Sequence, residues 1–413
     1  MINSQTGKVV IYVAPWFSDV SEQALRCVVE MPGVRLVVIT KERETELSGF
    51  IRRRLSAYYR TKEVFESNEL LRLARKLTSE VGPISRIFGD AEEIQVPLAK
   101  VRDVLGISGM RYRETLNFRD KLLMKSILLK HGIRCARHQL VKSMAQARRA
   151  SINLGFPLVV KPRAGLRCTS TYRVDNLGAL EVKVGLVLDK HGGEALLEEY
   201  IHGNEYSCET LSLNGTTRWQ SISHYHPTPL EATRDRLGRF TIVLPKSVSS
   251  SRDVGVKKLC QRVLSALGMT TGISHVEYFR LRDGSALISD VAARPPGAKI
   301  LDLLKWAHGV DIVERWVKLM ILDRFQAIPP RRFAAGVFFL RSGDSGKIVS
   351  VPGIRKVQHE LGGLIVAKEL PWVGQRIVKD YEGNGTIIVR DSSAVGVRRA
   401  LATINARVRL RVD

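Results

Sequence analysis

A lysine that ends an apolar run and enters a turn can clamp phosphate oxygens, its ammonium as a point charge and the turn's N–H groups as donors. Residues 155–165 have that form: Gly155, the run Phe156 to Val160, then Lys161, Pro162 and Gly165. A structural or solvated lysine fits a strand end equally well, so the weight falls on the company it keeps. Asp120 and Lys121 open a stretch that offers Lys121 and Lys125. Farther on come Glu198, Glu199, Ile201 and Glu205, then His275 with Glu277, then Asp290, Arg294, Pro295, Pro296 and Gly297. Two acids on adjacent strands about a dozen residues apart can face one point and hold magnesium through oxygen ligands. An arginine four residues past the second acid would point at the charge that develops in phosphoryl transfer.

Such side chains need elements to carry them. Lys8–Ala14 and Val34–Thr40 are apolar and β-branched and read as buried strands, with Ser21–Met31 as a helix between them. That order implies a parallel βαβ layer. The first strand runs into Ala14, Pro15, Trp16 and Phe17, so the glycine-rich turn of a dinucleotide site is missing. Gly7-Lys8 is followed by Val9 and Gly346-Lys347 by Ile348, which excludes a Gly-Lys-Ser/Thr phosphate loop. Residues 117–131 read as a helix capped by Asn117, and Met144–Leu154 as another stopped by Gly155. Residues 196–206 read as a strand and turn, and 272–279 and 286–292 as two strands joined by Arg282 to Ser285. Alternating residues at 385–389 describe a small β-rich end domain.

The chain has 413 residues, 44% of them hydrophobic, with 65 Lys+Arg against 41 Asp+Glu, a formal charge of +24. That balance excludes wholesale disorder and a coiled-coil rod. Five cysteines, odd in number and scattered, argue against a disulfide framework and for a reducing compartment. The apolar run Val9 to Ala14 is too brief for a signal core, and nowhere do 18 apolar residues run together. The expectation is a cytoplasmic protein with no membrane partner. Residues 111–173 carry 15 basic and 2 acidic groups, over half of the excess. That belt reads as the attracting field for a small anionic co-substrate, as a solvated face, or as a polyanion site. Nucleic acid is not expected, since no recognition motif accompanies the charge.

Taken in order, the motifs resemble the ATP-grasp superfamily over roughly residues 1–400. The resemblance implies an α/β (α+β) fold: an N-terminal Rossmann-like α/β domain (1–112), central ATP-grasp subdomains (113–325, small 113–200, large 201–325) and a small β-rich C-terminal lobe (326–413). It implies Lys121 and Lys161 as the phosphate-binding lysines, with Gly165 in the phosphate loop. Glu198 and the backbone of Glu199 and Ile201 look like the adenine hinge, and Glu205 like the ribose ligand. Glu277 and Asp290 look like metal carboxylates for one or two Mg²⁺ ions (Mn²⁺ as a substitute), with Arg294 and Lys161 as catalytic groups. The departures are Arg167 and Cys168 in place of a Gly and Ser of the loop, Asp290 in place of Glu, and Ala292 in place of Asn. Lost glycines imply a stiffer loop.

His224 and His226 share a strand face at period two, which suits a metal pair, a substrate contact or packing. His275 reads as a partner of the metal site, a substrate contact or a satisfied core histidine. Gly297 joins Arg294 as a candidate substrate contact. Cys168 is a reactive thiol or an inert replacement, and Trp306 and Trp316 are packing. The implied activity is ATP-dependent carboxylate–amine ligation through an acyl phosphate, releasing ADP and phosphate, in the manner of L-amino acid ligases. The expected substrates are a small-molecule carboxylate and an amine, one of them a candidate anion, and a homodimer is the expected assembly. A biotin-carboxylase-like bicarbonate-activating enzyme and a catalytically degenerate ATP-binding protein are the alternatives.

Overall fold

The computed structural model describes residues 7–166, 168–234 and 239–413; Arg167, singled out above, lies outside the described residues. Strands β1 (Lys8–Ala14), β2 (Val34–Thr40), β3 (Ala57–Arg60) and β4 (Ile84–Phe88) pair in parallel in the order β3-β2-β1-β4. Strand β1 is buried from Val9 onward, as its unbroken apolar run requires in a sheet with helices on both faces. The helices are α1 (Asp19–Val29), α2 (Gly49–Arg52), α3 (Ser67–Val81) and α4 (Gln95–Leu105). Helix α1 starts two residues before the expected Ser21, because Ser18 and Ser21 form a reciprocal capping box.

A second correction falls on residues 117–131. Two helices occupy this stretch, α5 (Tyr112–Asn117) and α6 (Lys121–Lys130). Asn117 ends the first and donates to the Leu267 carbonyl at 3.0 Å. Asp120 caps the second, its Oδ1 accepting from the N–H groups of Leu122 and Leu123 at 3.1 Å each. Next comes a four-stranded antiparallel sheet, β5 (His138–Val141), β6 (Leu158–Lys161), β7 (Tyr172–Val174) and β8 (Ala195–Glu199), in the order β5-β8-β6-β7. Helices α7 (Met144–Leu154) and α8 (Leu177–Lys190) cover it, and Gly155 ends α7 at φ 77°.

The second half of the chain builds an eight-stranded sheet. Its elements are β9 (Asn204–Leu213), β10 (Thr216–His226), α9 (Pro229–Arg234), β11 (Thr241–Leu244), α10 (Ser251–Leu267), β12 (Gly272–Arg280), β13 (Ala286–Ala292), α11 (Ile300–His308) and α12 (Ile312–Leu322). Then follow β14 (Ala334–Leu340), β15 (Ile348–Ser350), α13 (Ile354–Leu361), β16 (Ile365–Glu369), β17 (Gly385–Asp391), α14 (Ala394–Arg407) and β18 (Arg411–Val412). The strand order is β13-β12-β9-β10-β11-β14-β17-β16. Residues 326–413 are therefore not a separate β lobe. Strands β14, β17 and β16 continue the large sheet, and only the β15–β18 ribbon stands apart. Helix α14 packs on β14 where Gly336 leaves room: a Cβ there would lie 2.6 Å from Val397 Cγ1.

One core joins the first domain to this body. It runs from Tyr12, Leu25 and Phe88 to Trp316, Val337 and Phe339, and Phe88 meets Trp316 edge-on with centroids 5.6 Å apart. Trp316 is buried and Trp306 half-buried against the same core, so both are packing residues. No helix among the described residues is long and apolar enough to cross a membrane.

Candidate functional site

The expected strand over 196–206 is divided between the two sheets. Strand β8 ends at Glu199 in the small sheet and β9 begins at Asn204 in the large one. The crossing, Tyr200 to Gly203, is tight: a Cβ on Gly203 would lie 2.9 Å from the Arg280 carbonyl oxygen. Between the sheets lies a cavity of about 270 Å³. Its lining brings together Lys121, Lys161, Gly165, Glu198, Glu199, Ile201, Glu205, His275, Glu277, Asp290, Arg294 and Gly297, residues scattered over 177 positions of chain.

Register explains the two acids. Glu277 on β12 is the direct cross-strand partner of Asp290 on β13, with His275 opposite Ala292. Both carboxylates thus leave one face of the sheet at one point. Asp290 pairs with the Lys121 ammonium. Burial disfavours its charge, but Lys121 and Lys161 hold the carboxyl below the usual carboxylate range. Glu277 lies 3.3 Å from His275 Nε2, and His275 Nδ1 lies 3.1 Å from the fully buried Glu209. Burial alone would lower the imidazole, yet its bonds to Glu209 and Glu277 push it up to about 9. Among the described residues no third His, Cys, Asp or Glu completes a protein-only metal cage. Two carboxylates suit Mg²⁺, which takes one or two protein ligands and completes its shell with water and phosphate oxygens.

The lysines meet a shared acid. Lys161 Nζ lies 2.9 Å from Glu198 Oε1, and Lys125 Nζ lies 3.3 Å from the same oxygen. Burial works against the Glu198 charge, but the two ammonium groups hold its carboxyl below the usual range. The side chain of Glu198 is therefore engaged by these two lysines. Lys161 is raised despite its burial, chiefly by Glu198 and Asp290. Lys161→Ala is expected to weaken nucleotide binding about ten- to a hundredfold, the worth of a charge-assisted contact of about 1.5–3 kcal/mol. Calorimetry checks it, and an unchanged affinity would show that this lysine serves Glu198 alone.

The candidate phosphate loop keeps Gly165 but also reaches turned conformations at residues other than glycine. Cys168 and Ser170 take φ of 56° and 55°, a conformation that costs a non-glycine residue about 1–2 kcal/mol. Thr169 N–H donates to the Leu166 carbonyl and Thr171 N–H to that of Cys168. Burial, with Glu277 and Glu205 nearby, pushes the Cys168 thiol well up, which disfavours the thiolate. Arg119 donates to the carbonyls of Gly165 (3.0 Å) and Ala164 (3.1 Å) and pairs with Glu92 at 3.0 Å. The other Glu92 oxygen takes Arg294 Nε at 3.1 Å, so one acid of the first domain ties the phosphate loop to the candidate catalytic arginine.

One expectation is not met, and a second narrows. His224 and His226 do not line the cavity; Tyr225 does, because successive residues of β10 face opposite sides. His224 instead stacks on Tyr206, centroids 4.3 Å apart. Nor is the belt of 111–173 a free field. Among the described residues, ten of its fourteen basic side chains form ion pairs, and every acid they use except Asp120 comes from outside the stretch. Sequence reasoning left Lys125 without a role and missed Glu92 and Glu209. Lys125 alone carried a signal, a lysine one helical turn past Lys121 in an otherwise apolar run.

Residues 154–301 match the family model of the ATP-grasp domain. The chain is 26% identical over 267 residues to an L-arginine-specific L-amino acid ligase of Bacillus subtilis, covering 63% of this chain and 64% of that one. It is 31% identical over 224 residues to a D-alanine–D-alanine ligase of Acidovorax ebreus, covering 52% and 67%. In the first alignment the chain thus spans just under two thirds of the relative's length. Among solved structures, an L-amino acid ligase from Bacillus licheniformis superposes with a TM-score of 0.79 at 17% identity, covering 99% of both chains.

Proposed function

Since the chain belongs to the ATP-grasp superfamily, we propose that it is an ATP-dependent carboxylate–amine ligase that joins small molecules and releases ADP and phosphate. The observation that carries this reading is the register of Glu277 on Asp290, with Lys121, Lys161 and Arg294 around the same cavity. Lys121 and Lys161 bind the phosphate oxygens, Gly165 sits in the loop over them, and Glu205 takes the ribose. The backbone of Glu199 and Ile201, at the crossing between sheets, meets the adenine edge. Glu277 and Asp290 would hold Mg²⁺, one ion or two, which would supply neutralisation of phosphate charge. Arg294 stabilises the transferring phosphoryl group as it passes to the substrate carboxylate. The amine then attacks the acyl phosphate and phosphate leaves. A cytoplasmic homodimer belongs to the same proposal, as do domain boundaries near 112 and 200.

The substrates we propose are amino acids, one of them cationic. The cavity is lined by eight carboxylates against Lys121, Lys161 and Arg294. Metal and ribose take Glu277, Asp290 and Glu205, and Glu92, Glu198 and Glu199 are already paired with arginines or lysines, which leaves Asp90, accepting from the Tyr12 and Ser18 hydroxyls, and Glu93 on the wall from the first domain. Glu93 has no hydrogen-bond or ion-pair partner among the described residues. The ion-paired belt gives no support to the anionic substrate expected from composition. An ADP-release screen over single and paired amino acids tests this. Arginine or lysine is expected to raise the rate at least about tenfold over glutamate or aspartate, near the factor that about 1.4 kcal/mol supplies. A preference for the acidic pair would overturn the substrate class, and no release with any amino acid would favour the degenerate ATP-binding alternative.

A further inference from the structure

Lys125 is fully buried and takes no part in the chemistry above. It projects from α6 one turn past Lys121, and i, i+4 residues share a helix face. Lys121 reaches Asp290, while Lys125 reaches the preceding residue of β13, donating to the Ser289 carbonyl at 3.2 Å. Its second partner is Glu198 Oε1 at 3.3 Å, the oxygen that Lys161 approaches to 2.9 Å. Lys161 and Glu198 line the cavity and Lys125 does not. The carboxylate therefore has one lysine in front, facing the nucleotide space, and one behind it.

We propose that Lys125 is the fixed counter-ion of Glu198 and so a positioning residue for Lys161. A buried carboxylate that loses its partner is strongly unfavourable. If Lys161 were the sole partner of Glu198, turning it toward a phosphate would strand that charge, and the cost would be drawn from nucleotide affinity. Lys125 removes the cost. Glu198 keeps a cation at its back, and the two ammonium groups repel one another, which favours release of the front one. This inference rests on the reading of Lys161 as a phosphate contact.

The test is ATP affinity by calorimetry on the full chain, with a double-mutant cycle. Lys125→Met is expected to weaken ATP about tenfold or more although the side chain lies outside the cavity. In the Glu198→Gln background, where Lys161 has no carboxylate to leave, adding K125M is expected to change affinity less than about threefold. A lysine with a merely structural role, or one that touched the nucleotide, would cost the same in both backgrounds, and that result overturns the proposal. So does an unchanged affinity in K125M alone. If K125M alone does not fold, the neutral K125M/E198Q chain is decisive: ATP affinity within about threefold of E198Q supports the proposal and a tenfold loss refutes it. Lys161→Met separates the two failures. Unchanged ATP affinity in K161M removes the underlying reading, whereas a loss in K161M with none in K125M removes this inference only.

Discussion

Replacing Arg294 by alanine is expected to lower kcat for ADP release by about 10³-fold while ATP affinity stays within about threefold. The first number follows from the cost of removing an arginine that meets charge developing on a transferring phosphoryl group. The second follows from its place. Arg294 lies four residues past Asp290, its Nε held by Glu92 at 3.1 Å and its Nη1 donating to the Pro295 carbonyl at 2.8 Å. Its orientation is fixed before substrate arrives, and Lys121 and Lys161 carry the ground-state phosphate charge. An interaction made only in the transition state lowers kcat and kcat/KM together. Arg294→Lys should rescue little, because an ammonium cannot reproduce the guanidinium fork. Steady-state ADP release beside calorimetric ATP binding measures both quantities. A kcat within tenfold of the parent would remove Arg294 from the reaction.

Glu277→Gln is expected to abolish turnover, a loss of at least about 10³-fold at limiting Mg²⁺, without unfolding the chain. Glutamine keeps the shape and can still meet His275, so the cross-strand pair with Asp290 survives in packing. What disappears is the charge that draws a hard cation to that point. Asp290 alone, already paired with Lys121, is left to hold the ion. Raising Mg²⁺ should recover part of the rate, while the thermal midpoint without metal stays close to that of the parent. Normal turnover at limiting Mg²⁺ would show that the metal sits elsewhere.

The sequence made one half of the site readable and hid the other for physical reasons. Lys161 ends its strand and Arg294 follows one, each beside short-range punctuation, Pro162 and Gly165 or Pro295 to Gly297, while Glu277 and Asp290 lie within two successive strands, and local chemistry of that kind survives in one dimension. Glu92 and Glu209 reach the same network only through pairing and packing across many residues, which no spacing rule records. The histidines on β10 mislead in a specific way. Period two puts His224 and His226 on one face, but nothing local says which face looks at the cavity, and Tyr225 won it. The helix start at 117 was misread because Asn117 and Asp120 are both good caps, and the turn between α5 and α6 decided between them. The basic belt misled most broadly, since its acidic partners are contributed by other parts of the chain.

The large sheet runs unbroken from β13 to β16, and this limits how the chain can be cut or moved. A truncation after residue 325 would not peel away a module. It would strip Thr241–Leu244 of its β14 neighbour and open the core around Val243. A bare apolar edge of that kind recruits other chains, so the product to expect is aggregate rather than a smaller enzyme. The same continuity assigns motion. The small sheet joins this body on its C-terminal side through Tyr200 to Gly203, and the body itself has no internal seam at which to bend. In a vice whose one jaw is a single casting, the other jaw must do the travelling.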